Sequence, residues 1–439
     1  MELKSIAREI FASSLTAIDI PATLRRKLSR HGTTIHCGDS TIDLAAFRAI
    51  RVAAFGKAAG AMVEGLCQVL SPEFACEGVL SVPVPPVSPP PGFQTFVAGH
   101  PVPTSESLAA GRAILELLAG CNEHTLVFFL LSGGGSSLVE APLDARVTLA
   151  DVQALHRLLV TCGAPIDAIN AVRKHLSAVK GGRLAAAAPR AMKITLGVSD
   201  VPEGRESALA SGPAQPDPTT VADARAVLEE YGLGPRLPPV LRESFERAVV
   251  PETPKPGNPA FSRAHFSVLL GMHDLFHSAH RAAEERGFRT ICDNSTDDWP
   301  LSSAADHLLA QLDLLSRQHP DKPVAVIADG EVSSPVTGQG TGGRNSSFVL
   351  DCVEKIAGRP LAVLSAGTDG VDGNSPAAGA VADGQSSARA RAAGLEPADF
   401  FRRSDAYSFF RVLGDAVETG PTGNNLRDLR ILLAAPAGK

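Results

Sequence analysis

The chain has 439 residues, 44% of them apolar and 5% aromatic, with a formal net charge of −6. That length exceeds what one compact core needs, so two domains are expected. The acidic balance argues against a nucleic-acid partner, which demands a concentrated basic surface.

The seven cysteines are scattered and never spaced as CxxC. This fits reduced thiols in a cytoplasmic protein better than disulfides or a zinc site. The longest clean apolar run, Leu126 to Leu131, is far too short to span a bilayer, so no membrane association is expected.

In chain order, residues 1 to 30 carry apolar positions at helical spacing. RVAAFGKAAGAMVEGL (51 to 66) reads as a buried strand, a turn at Gly56 and a helix, with Lys57 at the turn. Ligands of open α/β sheets collect beyond the carboxyl ends of strands, where such a lysine stands. VPVPPVSPPPG (82 to 92) is an extended arm, and Thr104 or Ser105 caps the following helix.

TLVFFLLSGGGSSLVEAP (125 to 142) carries six apolar residues without alternation, as in a strand of a parallel sheet buried on both faces. It runs into Ser132, Gly133, Gly134, Gly135, Ser136 and Ser137, a glycine nest suited to an anion. This stretch is neither GxxxxGK[ST] nor GxGxxG nor a GxSxG elbow.

INAVRKHLSAVKGGRLAAAA (169 to 188) reads as a helix on which Arg173, Ser177 and Lys180 share a face. No acidic residue in that helix neutralises Arg173 or Lys180, which points to an anionic ligand. Asp200 follows the next strand. The periodicity breaks over 249 to 263, which places a domain boundary at 255/256.

The second half repeats the alternation of strands and helices. After the strand 323 to 329 come Glu331 and a loop holding Gly338, Gly340, Gly342 and Gly343, then Arg344 and Asn345 at a helix start. Backbone amides of such a loop, the helix N-terminus and the planar Arg344 fork suit phosphate or carboxylate. LAVLSAGTDGVDG (361 to 373) delivers Asp369 and Asp372 at a strand end, as a hard-cation site would require. The fold expected is two α/β domains with mainly parallel sheets, Rossmann-like over 1–255 and smaller over 256–439.

Two glycine loops, Lys57, Arg173, Lys180, Arg344 and strand-end carboxylates are the parts that phosphoryl transfer uses. In that chemistry cations hold the phosphates, Mg²⁺ bridges them, and a carboxylate orients the attacking hydroxyl. A kinase of a small metabolite follows.

The blocks FGKAAGAM, GHPVPTSES, LLSGGGSSL, INAVRKHLSAVKGGRLA, SDVPEG, GQGTGGRNS and AGTDGVDGNSPAAGAVAD, in this order, resemble the class II glycerate kinases with a MOFRL-type C-terminal domain. The resemblance implies ATP- and Mg²⁺-dependent conversion of D-glycerate to 2-phosphoglycerate in a cleft between two α/β domains. It puts the essential lysine on Lys57 and the essential arginine on Arg344. Asp200 is a further catalytic candidate, and Asp200, Glu331 and Asp369 are the candidate metal ligands. Some relatives are labelled hydroxypyruvate reductases, which makes an NAD(P)H-dependent reductase the alternative. The expected partners are D-glycerate and ATP, and the reading leaves room for a homodimer.

Overall fold

A computed structural model describes residues 2–38, 40–199, 206–424 and 426–436. The chain forms two compact units, Ile20–Leu270 on one side and Met1–Asp19 with Gly271–Lys439 on the other. The boundary expected at 255/256 is therefore corrected at both ends. Residues 264–270 form an edge strand of the first sheet. The Leu3–Ala17 helix packs instead on the Met272–Glu284 helix of the second unit. There Lys4 Nζ reaches Asp415 at 3.1 Å and Arg8 donates to the Ala416 carbonyl at 3.0 Å.

The Ile20–Leu270 unit begins with a small antiparallel meander, β1 (Leu28–His31), β2 (Thr34–Cys37) and β3 (Ser40–Asp43). Its main sheet holds β4 (Ala49–Phe55), β5 (Glu77–Val82), β6 (Phe93–Val97), β7 (Thr125–Ser132), β8 (Met192–Val198) and β9 (Ala264–Leu270). Their spatial order is β6-β5-β4-β7-β8-β9, and every pairing is parallel. Relabelled within the sheet this is 3-2-1-4-5-6, the doubly wound order, and its direction reverses between β4 and β7. β7 is buried along its whole length because helices cover both faces, which is why its sequence is an unbroken apolar run.

The other unit also has six strands: β10 (Arg289–Cys292), β11 (Val324–Asp329), β12 (Leu361–Gly367), β13 (Gly379–Asp383), β14 (Ala416–Val417) and β15 (Asp428–Ala434). The order is β10-β11-β15-β12-β13-β14. Only β10 and β11 pair in parallel; the other four pairings are antiparallel. The α/β class holds, but the expectation of a mainly parallel second sheet does not. The chain's last strand enters the middle of the sheet between β11 and β12, against the direction of both.

The helix Arg344–Lys355 presents Phe348, Val349, Cys352 and Val353 to the core of this unit. Its N-terminus is closed by a carboxylate from the loop after β12. Asp372 accepts from the backbone N–H groups of Asn345 (2.9 Å) and Ser346 (2.8 Å) and from the Ser346 hydroxyl (2.6 Å). A buried cap on three donors contributes on the order of 2–3 kcal/mol. Asp372→Ala is therefore expected to lower the urea midpoint of this unit, and Asp372→Asn, which keeps one acceptor oxygen, to lower it less. An unchanged midpoint in the alanine variant would show that the cap carries no stability.

Candidate active site

In the parallel unit, the loops after β4 and β7 meet at the reversal of strand order. Gly56 has φ 131°, and a Cβ built there would lie 2.1 Å from Ser132 Oγ. The Ala58 N–H donates to Ser132 Oγ at 2.9 Å, and the Lys57 N–H donates to the Gly133 carbonyl at 3.0 Å. Gly134, at φ 81°, has no room for a side chain either. A Cβ would meet the His100 ring at 2.8 Å and Lys57 Cγ at 3.5 Å. Gly135 packs with similar closeness on Ala210 and Phe55. The backbone thus brings Lys57, His100 and the 132–137 loop together beyond the strand ends, where doubly wound sheets bind ligands.

The serines of that loop have partners. Ser136 Oγ lies 2.7 Å from Ser211 Oγ, which in turn donates to Asn170 Oδ1 at 3.0 Å, and Ser137 Oγ donates to the Gly134 carbonyl.

The stretch 169 to 188 is not one helix. Ile166–Leu176 is helical, Ser177 turns extended (φ −110°, ψ 138°) and bridges Pro142, and a short helix resumes at Arg183. Gly181 and Gly182 take left-handed φ of 56° and 81°, which continuous right-handed helix forbids. Arg173, Ser177 and Lys180 nevertheless line one cavity together with Ser136, Glu140 and His156.

Lys180, without an acidic partner in its own stretch of chain, finds one outside it. Glu140, from the loop after β7, accepts from Lys180 Nζ at 2.5 Å, from Ser177 Oγ at 2.5 Å and from the Ala141 N–H. Arg173 differs, because among the described residues its hydrogen bond runs to His156 Nδ1 at 3.4 Å. Burial pushes the Arg173 pKa down, and the Glu140 carboxylate opposes this through space. His175 is fully buried with Nδ1 on the Ala171 carbonyl at 2.7 Å. Asp200 lies outside the described residues.

In the other unit Arg344 stands between two carboxylates. Its Nε reaches Asp428 Oδ2 at 2.5 Å and NH1 reaches Glu331 Oε2 at 2.7 Å. Burial alone would lower the Arg344 pKa, but the two carboxylates outweigh it and hold the guanidinium above its ordinary value. The Glu331 carboxyl is pushed up by burial and only partly brought back by Arg344. Its backbone is fixed from below. Asp297 accepts from the Glu331 N–H at 2.8 Å and from Arg427 through both oxygens, at 2.8 and 2.6 Å. Gly330, at φ 102°, lets Asp297 approach. Arg430, fully buried, donates to the carbonyls of Asp329 and Gly330.

The glycine-rich loop before Arg344 is built differently from the expected anion cradle. The N–H groups of Gly338, Gly340, Thr341, Gly342 and Gly343 donate to Ser404 Oγ, the Arg403 carbonyl, Asp405 Oδ1, Asn374 Oδ1 and Ser346 Oγ. A Cβ on Gly338, Gly340 or Gly343 would sit 2.2 to 2.4 Å from Arg403, Asp405 or Asp372. These glycines serve close packing of protein on protein, and the helix start behind them is occupied by Asp372. Asn345 is likewise internal, its Oδ1 accepting from Ser365 Oγ at 2.6 Å. Gly340, Gly342, Gly343 and Asn345, expected as ligand contacts, have protein partners here and support Arg344.

Glu331 and Asp369 remain exposed enough to take a cation. Asp369 Oδ1 and Asp428 Oδ1 both border Gly367, so Asp369 belongs to the same acidic edge as the Arg344 clamp. Among the described residues no three His, Cys, Asp or Glu side chains form a ready-made metal cage. One or two carboxylates suit Mg²⁺, which keeps several waters and takes its other oxygens from substrate phosphates. Sequence reasoning missed Asp297, Asp428, His100 and His156. Their partners lie 34, 84, 34 and 17 residues away, and only the alternation of charges in RDLR ahead of an apolar run marked Asp428.

Comparison with known proteins gives concordant findings. Residues 6–246 match the family model described as a domain of unknown function, DUF4147, and residues 324–428 match the MOFRL family. The D-glycerate 2-kinase of Thermotoga maritima is 35% identical over 98% of each chain. A chain of Agrobacterium vitis named for hydroxypyruvate reduction is 35% identical over 86% of this chain and 85% of its own. The crystal structure of the Thermotoga maritima glycerate kinase superposes with a TM-score of 0.85, covering 99% of both chains at 34% identity. No helix among the described residues is long and apolar enough to cross a membrane.

The cavity makes a prediction about pH. Burial, then the charge of Arg173, pushes the His156 pKa from 6.5 down to about 4. Lys180, His100 and Arg157 act in the same direction. Between those values the unfolded chain binds a proton at His156 that the folded chain refuses, so stability rises with pH across the window. Acidification from 6.5 towards 4 should weaken the parallel unit, and His156→Gln should flatten that segment of the stability profile. Equal slopes in the two proteins over this window would rule His156 out as the cause.

Proposed function

The chain belongs to the class II glycerate kinases, and from that premise we propose that it transfers the γ-phosphoryl group of ATP to the 2-hydroxyl of D-glycerate, giving 2-phosphoglycerate and ADP. The observation that carries the proposal is the meeting of Lys57 with the 132–137 loop at the strand-order reversal. A fixed cation and a glycine turn at that place are what a phosphoryl group requires.

Lys57 neutralises charge on the transferring group. Arg344, held by Asp428 and Glu331, offers its remaining N–H groups to an anionic oxygen. Glu331 and Asp369 would hold Mg²⁺, which when bound offsets charge on the phosphate oxygens. Asp200, beyond β8, orients or deprotonates the acceptor hydroxyl. The protein works in the cytoplasm.

The reductase reading is disfavoured by the same sheet. In a dinucleotide-binding fold the turn after the first strand carries GxGxxG, and here the turn after β4 reads FGKAAG. Lysine stands where the pyrophosphate-binding turn should continue.

Incubation with ATP, Mg²⁺ and D-glycerate, with separation of 2- from 3-phosphoglycerate, is expected to yield the 2-isomer. Steady oxidation of NADH by hydroxypyruvate without ATP would overturn the reading. Lys57→Ala should cut kcat by about 100-fold or more while leaving the fold intact. Arg344→Lys keeps the charge but loses the fork, and it should cut kcat by about 10-fold or more. Near-normal turnover in either variant would remove that residue from the mechanism.

A further inference from the structure

We infer that the cavity beside the 132–137 loop is the subsite for the acceptor's carboxylate, and that Arg173 is the group that binds it. The inference rests on the glycerate kinase reading and adds to it the residue that recognises the acid end of the substrate.

Charge balance is the first argument. Lys180 and Glu140 face each other at 2.5 Å and offset one another, and Glu140 also accepts from Ser177 and the Ala141 N–H. His156, beside Arg173, is neutral at physiological pH. Arg173, largely buried, feels the same Glu140 carboxylate only through space, so two cations share one carboxylate and the cavity keeps one net positive charge. A buried guanidinium is costly unless an anion accompanies it. One uncompensated charge suits a monoanion, such as a hydroxy acid at neutral pH.

Size and polarity narrow the choice. The cavity offers about 30 Å³ for the centres of water-sized groups, room for about two of them, which is what the two oxygens of one carboxylate occupy. A phosphate brings three terminal oxygens and up to two charges, which this cavity would leave half neutralised. The remaining wall is apolar, including Leu155, Leu159 and Leu241. Such a wall excludes water and strengthens a fork-to-carboxylate pair. Ser136 joins this cavity to the loop that packs on Lys57 and His100, so a carboxylate on Arg173 would hang the acceptor from the same loop.

The test uses the full-length protein with D-glycerate and its uncharged carboxamide. In Arg173→Gln the KM for D-glycerate should rise by about 100-fold, with the KM for ATP changed by no more than about twofold. The preference for acid over amide should collapse, and Arg173→Lys should restore part of it. Calorimetry with D-glycerate and no nucleotide reads the site independently of turnover. Binding that is lost in Arg173→Gln sustains the inference even if the wild type makes no phosphoglycerate, in which case the kinase reading alone fails.

Turnover in the wild type with an unchanged acid-to-amide ratio in Arg173→Gln overturns the inference and leaves the kinase reading standing. So does a rise confined to the KM for ATP. Absence of D-glycerate binding to the wild type overturns it too. Should Arg173→Gln melt below the wild type, the acid-to-amide ratio of Arg173→Lys decides.

Discussion

The parallel unit depends on a contact that only glycine permits. At position 56 the backbone turns at φ 131° against Ser132, close enough that any Cβ would overlap the Ser132 hydroxyl. That hydroxyl accepts the Ala58 N–H, while the next carbonyl of the same loop accepts the Lys57 N–H. The ends of β4 and β7, the two strands that flank the reversal of order, are thereby tied by two hydrogen bonds. Without the tie, Lys57 would be a surface lysine on a flexible turn. With it, the backbone that carries the lysine is set by the sheet, and the backbone entropy of placing it beside the glycine turn has been lost on folding rather than on binding.

The other unit uses glycine for a different end. Its loop amides face inward and are consumed by Ser404, Arg403, Asp405 and Asn374, so the loop is a rigid support rather than a cradle. Its product is the placement of Arg344. Two carboxylates near 2.5 to 2.7 Å hold the guanidinium, and each such contact near a protein surface is worth on the order of a few kcal/mol before solvent screening. Their attraction overrides the burial that would otherwise lower the Arg344 pKa. The arginine is fixed in direction and always charged. An incoming anion must therefore compete with Glu331, the more exposed of its two partners.

Much of this was legible in the sequence, for physical reasons that differ by element. β7 and β11 could be read because strands covered on both faces must be apolar throughout, and the helix after Thr104 because its cap is local. The order β6-β5-β4-β7-β8-β9 could not, since it is fixed by pairings between strands far apart in the chain. The insertion of β15 against the direction of its neighbours was hidden for the same reason. The stretch 169 to 188 misled because Ala, Val and Leu continue at helical spacing through a break caused by two left-handed glycines and by Glu140 capturing Ser177. The loop before Arg344 misled because glycine frees backbone amides for any acceptor, and protein acceptors from residues 374 and 403–405 supply them here.

The four cations singled out at the start are distinguished by what surrounds them. Arg173 sits in a small, largely apolar cavity with one net charge to offset, and Lys180, already matched by Glu140, serves to keep that cavity at a single charge. Arg344 sits at an acidic edge with two carboxylates, a setting that repels a bare anion and suits one that arrives with its own counter-cation. Lys57 stands beside a glycine turn, its backbone N–H held by the Gly133 carbonyl. Burial and pairing set these surroundings apart: one net charge in a largely apolar cavity at Arg173, and a carboxylate-rich edge at Glu331, Asp369 and Asp428. The small hydroxy acid and the metal-bound polyphosphate of the proposed reaction would differ in the same respects, one a monoanion and the other a polyanion with its own counter-cation, and that difference is the physical ground of the proposal.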